Sequence, residues 1–386
     1  MQVICVNCNK EFEGNRKTLF CSENCQKTYN ENVDVEVITS KTKLVVTKAG
    51  IKEKNSDERL VKIRELNDQI NKDFGEGTIM IFGDKPNKEY ETISTGSFQL
   101  NKALGIGGLP RGRMVEIFGL ESSGKTTIAL CAIADAQRQG LRCLLIDAEN
   151  SFDPEYAEIL GVKVDELDYC QPSYGEQGLE VADRKICSGL YGCVVIDSVA
   201  ALVPKAELEG QMGDSKMGLH ARLMSQACRK MVGSISKHNT LCIFINQVRN
   251  KIGVMYGSPE VTTGGMALQF YASIRLSVTR STTNENSIMN GDQKEGNLTT
   301  VKVVKNKCSP PFKQAKFYII YAQGIDNFSE LIDLAIEEKI INKAGSWYSY
   351  KEIKLGQGKP AVVEVLKDNE EMFNEIKKLV IAQVKN

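Results

Sequence analysis

Four short apolar runs punctuate the middle of the chain: MVEIF at 114–118, CLLI at 143–146, the body of GCVVIDS at 192–198, and TLCIFINQ at 240–247. Each has strand length and is apolar almost throughout, the pattern of a strand buried on both faces. Helix-like segments such as 128–136 separate them. Strands alternating with helices predict an α/β fold with a mostly parallel, helix-flanked sheet. Upstream the period changes. Leu60, Ile63, Leu66, Ile70 and Phe74 recur at helical spacing, Asn55 followed by Glu58 has the form of a capping box, and Gly75 ends the pattern. A helix is expected to start near Asn55, with its stripe packed either on its own core or on a neighbouring subunit. Further upstream Val33, Val35 and Val37 alternate and residues 44–46 are apolar, which allows a small hairpin.

Length and charge narrow the class. At 386 residues the chain is long for one domain, and two or three are expected. The 49 basic and 49 acidic residues cancel, so any nucleic-acid site must be a local basic surface. No run reaches about 18 apolar residues, so no membrane span is expected. The start, MQVICVNC, lacks the basic and apolar regions of a secretory signal, which points to a cytoplasmic protein. Of twelve cysteines, four lie within residues 5–25; Cys131, Cys143, Cys193 and Cys242 sit in apolar segments, as small core residues do. Reduced thiols are the expectation.

The most specific chemistry follows the first apolar run. Residues 119–126 read GLESSGKT, with all fixed positions of the G-x-x-x-x-G-K-[ST] loop. A strand entering a Gly-rich turn and then a helix aims backbone N–H groups at one point, where they cradle phosphates. The expected nucleotide-binding residues are Gly119, Leu120, Glu121, Ser122, Ser123, Gly124, Lys125, Thr126 and Thr127. Lys125 would reach the β- and γ-phosphates and Thr126 would hold Mg²⁺. The next runs deliver Asp147 and Glu149, then Asp197, then Gln247 to strand C-terminal ends, where ligands gather in open α/β sheets. Asp197 is the natural carboxylate for Mg²⁺ and its waters.

A separate signal lies at the N-terminus. Cys5, Cys8, Cys21 and Cys25 give C-x2-C-x12-C-x3-C, the spacing of a structural, tetrahedral Zn²⁺ site whose metal supplies the folding free energy that so short a segment lacks. The stretch LFCSENCQKTYN is similar to the closing element of a treble-clef zinc finger and places the second pair at the start of a short helix. Between Lys41 and Lys54 there are five lysines and one acid, Glu53; such a linker either touches phosphates or is simply solvated.

From about Asn55 to the C-terminus the chain resembles bacterial or phage RecA-family recombinases. The resemblance rests on FGLESSGKTT, LLIDAENSFDPEYAEILG, VVIDSVAALVPKAELEG, GDSKMGL, IFINQVRNKIGVMYGSPEVTTGG, VKVVKNK and AGSWYSYKEIKLGQGK. It implies helical filaments on single-stranded DNA, pairing with homologous duplex, strand exchange with DNA-dependent ATP hydrolysis, and a place in recombination, DNA repair and the SOS response to DNA damage. Glu149 would activate water, Asp153 and Tyr156 would hold and stack the adenine with Tyr321 near the base, and Gln247 would couple the γ-phosphate to the following loop. Lys305 and Lys307 would reach the ATP of the adjacent subunit, neutralising charge as an arginine finger does. DNA would meet two loops: residues 207–218, with Met217 on bases and Arg222 and Arg229 on phosphates, and residues 248–265, where Arg249, Asn250, Lys251, Gly264 and Gly265 contact the strand. Mediator or repressor proteins are further implied partners, and the host cytoplasm is the expected location if a phage encodes the chain. The implied organisation is a zinc module at 1–30, a linker at 31–54, an oligomerisation helix and strand at 55–90, an ATPase core at 91–323 and a small α+β domain at 324–386.

Some positions depart from the family pattern. Leu120 replaces a usual Pro, Asn150 a common His, and Met266 an Asn that contacts DNA. The chain ends in the basic KKLVIAQVKN rather than a long acidic tail, and the cysteine module is an addition. Three competing readings remain: a zinc-bearing RadA-like branch-migration ATPase, against which no KNRFG motif is found; a hexameric helicase, which lacks the GSPEVTTGG loop; and a non-hydrolysing ATP-controlled DNA scaffold, against which stands Glu149.

Overall fold

The computed structural model describes residues 2–4, 8, 11–13, 20, 22–26, 35–39, 42–46, 54–75, 78–79, 81, 90–211, 218–250, 260–281, 283, 287–290 and 293–384. The chain divides into two units, Met1–Lys88 and Glu89–Asn386.

In the first unit, Gln2–Ile4 pairs antiparallel with Glu11–Glu13, and Val35–Thr39 with Thr42–Val46, the hairpin that the valine alternation allowed. A helical turn at 23–26 carries Cys25; Ser22 caps it, its hydroxyl accepting the Cys25 N–H at 3.2 Å. The long helix runs Lys54–Phe74, one residue ahead of the expected start, a shift within the ordinary fraying of helix ends. Gly75 closes it at φ 102°, donating its N–H to Asn71 O at 2.9 Å. Leu60, Ile63, Leu66 and Phe74 are exposed, so the stripe is not packed on a core of its own.

The second unit is built on a sheet of eleven strands among the described residues. Across its parallel half the order is Ile274–Arg280, Met114–Gly119, Leu241–Asn250, Tyr191–Asp197, Arg142–Asp147 and Leu167–Cys170. Side chains alternate between two cores, as the pleat requires. Val115, Ile117, Leu145, Val195 and Ile243 face the helix Lys125–Arg138. Met114, Leu144, Ile146, Val194 and Phe244 face the helices Gly175–Cys187 and Leu219–Lys237. Cys131, Cys143, Cys193 and Cys242 are buried here, and burial pushes the Cys131 thiol up to about 12. Beyond Ile274–Arg280 the sheet turns antiparallel through Gln293–Asn306, Gln314–Ile320 and Gly324–Ile325.

Residues from Asn327 onward form a third core, with helices Asn327–Glu337, Lys359–Asp368 and Glu370–Val384 around the antiparallel strands Ile341–Ala344, Trp347–Tyr350 and Ile353–Gln357. Glu330 joins this part to the central sheet. Its carboxylate accepts from Ser97 Oγ at 2.5 Å and Phe98 N at 3.1 Å, at the start of the helix Phe98–Leu104. Lys102 on that helix pairs with Glu337 at 3.0 Å and Glu338 at 2.8 Å. Burial raises the Glu330 carboxyl to about 8, with the Ser97 and Phe98 hydrogen bonds opposing. The folded state therefore holds a proton that the unfolded chain has released, and stability should fall as pH rises from the ordinary carboxyl range through about 8. Thermal melts between about pH 5 and about pH 9 should show this slope, and Glu330→Gln should flatten it; an equal slope in both proteins would exclude Glu330 as its source.

Candidate nucleotide site and loop surface

Parallel register brings the functional positions to one end of the sheet. Asp197 lies opposite Asp147, and Gln247 opposite Gly119. Gly119 permits the turn because a Cβ there would lie 2.1 Å from Val278 O. Ser122 and Gly124 adopt left-handed φ of 53° and 96°. Gly124 begins the helix Lys125–Arg138 without a side-chain cap, which leaves its first N–H groups directed at the turn. Ser123 Oγ is buried without a hydrogen-bond partner. A buried unpaired hydroxyl beside uncapped N–H groups fits a phosphate oxygen. Leu120 and Glu121 form the exposed crest of the turn. Lys125 is buried, donates to Leu120 O at 2.6 Å, and has its pKa lowered by burial, with Asp197, Glu149 and Glu121 opposing.

Thr126 Oγ1 donates to Asp197 Oδ2 at 2.8 Å. Burial pushes the Asp197 carboxyl up to about 6; the Thr126 bond opposes, and the negative charges of Glu149 and Asp147 add to the rise. A hydroxyl and a buried carboxylate among further acids fit a hard divalent cation such as Mg²⁺. Asp147 has a different task. It accepts from Ser151 N at 3.3 Å, Phe152 N at 3.0 Å and Tyr169 Oη at 2.9 Å, fixing the turn that carries Glu149, where Asn150 has φ 54°. Glu149 Oε1 accepts from Gln247 Nε2 at 2.7 Å and from Ser198 Oγ.

A cleft of about 510 Å³ opens beside the turn, lined by residues 122–127, Asp153, Tyr156 and Tyr321. Asp153 caps the helix Pro154–Ile159 by accepting the Tyr156 N–H at 3.1 Å, and Tyr156 Oη meets Thr127 Oγ1 at 3.0 Å. Tyr321 is bonded to Asn297. Arg280 and Asn297 also line this cleft. The sequence reading missed both. Arg280 ends the strand beside the phosphate-loop strand, which only the register Val278–Gly119 reveals. Lys305 and Lys307 do not line the cleft; Lys305 Nζ donates to Gln269 O at 2.6 Å and Phe270 O at 3.0 Å, and Lys307 N to Ser273 O.

The loop surface is described in part. Met217 and Lys251 lie outside the described residues, as do Cys5 and Cys21 of the cysteine set. Cys8 is exposed and Cys25 half-buried, and among the described residues no cluster of three or more metal-ligating side chains occurs. The strand expected to end at Gln247 continues to Asn250 because Val248, Arg249 and Asn250 pair antiparallel with Glu260–Thr262. The stretch read as one loop from 248 to 265 thus has a hairpin stem. Arg222 and Arg229 are exposed on one helix, Leu219–Lys237, two turns apart and so on one face. Arg249 and Gly264 line a cavity of about 330 Å³ with Glu207 and His220, the latter unread from sequence. Gly264 and Gly265 have φ of 81° and 75°, and a Cβ on Gly265 would lie 2.8 Å from the Ala221 side chain.

The phosphate loop, the Thr126–Asp197 pair and the Glu149–Gln247 pair on a helix-flanked parallel sheet define a P-loop nucleoside triphosphatase. The chain belongs to the RecA family. Residues 62–326 match the profile of the RecA N-terminal domain and residues 329–385 that of the RecA C-terminal domain. It is 53% identical over 330 residues to Protein RecA of Porphyromonas gingivalis, covering 86% of this chain and 96% of that one. It is 53% identical over 327 residues to Protein RecA of Levilactobacillus brevis, covering 85% and 86%. To Protein RecA of Gluconacetobacter polyoxogenes it is 55% identical over 315 residues, covering 82% and 89%. The match to the RecA C-terminal domain sets aside the branch-migration and helicase alternatives.

Proposed function

We propose that this chain works as a recombinase whose ATP site and DNA loops are joined at Gln247. It is a DNA-dependent P-loop ATPase that pairs homologous DNA and exchanges strands. The observation that carries the joined site is the Gln247–Glu149 hydrogen bond of 2.7 Å. Gln247 stands where the sheet ends and the hairpin stem toward Gly264 begins. Ser123, Lys125 and the uncapped helix start hold the phosphates, and Thr126 and Asp197 hold Mg²⁺. The ion supplies charge neutralisation at phosphoryl oxygens. Glu149, oriented by Ser198 and Gln247, takes a proton from the attacking water. Asp153, Tyr156 and Tyr321 bound the base, with Thr127 supporting Tyr156. Arg222, Arg229, Arg249, Asn250, Lys251 and Met217 contact the single strand, and Gly264 and Gly265 offer unobstructed N–H groups to phosphates.

The exposed stripe of the helix Lys54–Phe74 supports packing on a neighbouring subunit, with Lys305 and Lys307 reaching that neighbour's ATP. Among the described residues no helix is long and apolar enough to cross a membrane, and we place the protein in the cytoplasm, or the host's if phage-encoded. Mediator and repressor proteins are its proposed partners. Electron microscopy with ATP and single-stranded DNA should show open helical filaments that salt weakens, because phosphate contacts dominate binding. Closed rings, or filaments indifferent to DNA, would count against the assignment.

Cys5, Cys8, Cys21 and Cys25 are proposed to bind one structural Zn²⁺. The spacing and the Ser22-capped turn carrying Cys25 support this. Metal analysis of protein purified without chelator should give about one zinc per chain. The metal should be lost, with ATP hydrolysis kept, in a chain that begins at Asn55. Absence of zinc in the full chain would remove the proposal.

A further inference from the structure

A buried polar cluster lies directly behind the Gln247–Glu149 pair and has no part in the roles given above. Glu116, on the phosphate-loop strand, is fully buried. Its carboxylate accepts from Arg275 Nε at 2.5 Å and from Asn246 Nδ2 at 2.9 Å. Arg275 also lies over the Phe118 ring, 4.6 Å from its centre. Asn246 is fully buried too. Its amide donates a second time, to Thr263 O at 3.0 Å, and its carbonyl accepts from Gln247 N at 2.9 Å and Thr263 Oγ1 at 2.5 Å.

An asparagine side chain has two donors and two acceptor sites. All four are used here, so Asn246 cannot shift without leaving a buried polar atom unpaired, which is costly. Consecutive strand residues point to opposite faces. Gln247 faces Glu149 while Asn246 faces Glu116, so a rotation of this strand by Gln247 is felt at once by Asn246. The cluster also continues sideways, since Arg275 is in register with both Glu116 and Lys305.

We infer that Asn246, held by the Glu116–Arg275 ion pair, is a positioning residue that ties the nucleotide end of its strand to Thr263, at the entry to the Gly264–Gly265 segment. DNA stimulation of hydrolysis passes through this tie. The inference rests on the reading of Gln247 and the loop given under the proposed function.

The test is steady-state ATP hydrolysis with and without a poly-thymidine single strand, alongside thermal melts. Glu116→Gln keeps the shape but removes the charge that holds Arg275. It should lower the ratio of stimulated to basal rate about tenfold, within the usual range of coupling energies, while the basal rate stays within about twofold. Thr263→Val removes one hydroxyl at nearly constant volume and should lower the same ratio while the basal rate is kept, even though the unpaired Asn246 carbonyl lowers the melting temperature somewhat; Thr263→Ser should restore the ratio. A parental ratio in Thr263→Val would overturn the inference, as would proportional loss of both rates and of melting temperature in Glu116→Gln, the sign of a structural role alone. The assignment of Glu149 stands on the basal rate and this tie on the ratio, so the two failures are distinguishable.

Discussion

Glu149→Gln is expected to lower ATP turnover by about 10²- to 10⁴-fold, the range for loss of a positioned general base, while ATP and DNA binding persist. The geometry separates the two functions. Under the proposed function, phosphate binding would rest on Ser123, Lys125 and the helix start, none of which bonds to Glu149 in this structure. Glu149 instead points across the sheet end to Gln247 and Ser198. The substitution keeps the side chain's size and an acceptor oxygen for those partners, and removes the ability to take a proton. Single-turnover hydrolysis and equilibrium binding of a slowly hydrolysed ATP analogue would separate the steps. Hydrolysis at the parental rate would mean another group activates water. Equal loss of binding and turnover would mean that the Glu149 turn, fixed by Asp147 through Ser151 and Phe152, had collapsed.

Much of this site was legible because its parts are contiguous in sequence. The phosphate loop is eight consecutive residues, and Asp147, Asp197 and Gln247 each end an apolar run, so a parallel sheet was bound to gather them at one edge. What escaped depended on register between distant strands. Asn297 reaches the cleft from the antiparallel half of the sheet and Arg280 from the strand that borders it, and both strands carry alternating rather than continuous apolar residues. Glu116 interrupts an apolar strand and Arg275 sits at a polar position of an alternating one, so each reads locally as an isolated charge; only the pairing of Arg275 with Glu116 makes them an ion pair. The strand past Gln247 was cut short for the same reason, since its last residues are polar and owe their extended form to Glu260–Thr262. The α+β character of the C-terminal part followed from resemblance, whereas its attachment through Glu330 and Lys102 had no local signal.

Replacing Lys305 and Lys307 together by Ala is expected to abolish ATP-dependent filament assembly and to lower DNA-stimulated turnover about a thousandfold, the scale of losing a cation supplied in trans to a phosphoryl group. The nucleotide cleft of each chain should survive, because neither lysine lines it. Burial lowers the Lys305 pKa, and the nearby positive charges of Lys307 and Arg275 lower it further, while Glu116 opposes. An ammonium held beside other cations gains from a polyanion, so a neighbour's triphosphate arriving at this edge would stabilise the charged form. The backbone carbonyls of Gln269 and Phe270 that now accept from Lys305 Nζ would then compete with phosphate for it. Mixing the double variant with Glu149→Gln chains gives the decisive measurement. If each active site takes Glu149 from one subunit and the lysines from the next, some interfaces in the mixture combine an intact Glu149 with intact lysines, and turnover should exceed that of either variant alone. If lysines and Glu149 served the same chain's ATP, every site would lack one or the other, and the mixture would show only the summed residual rates.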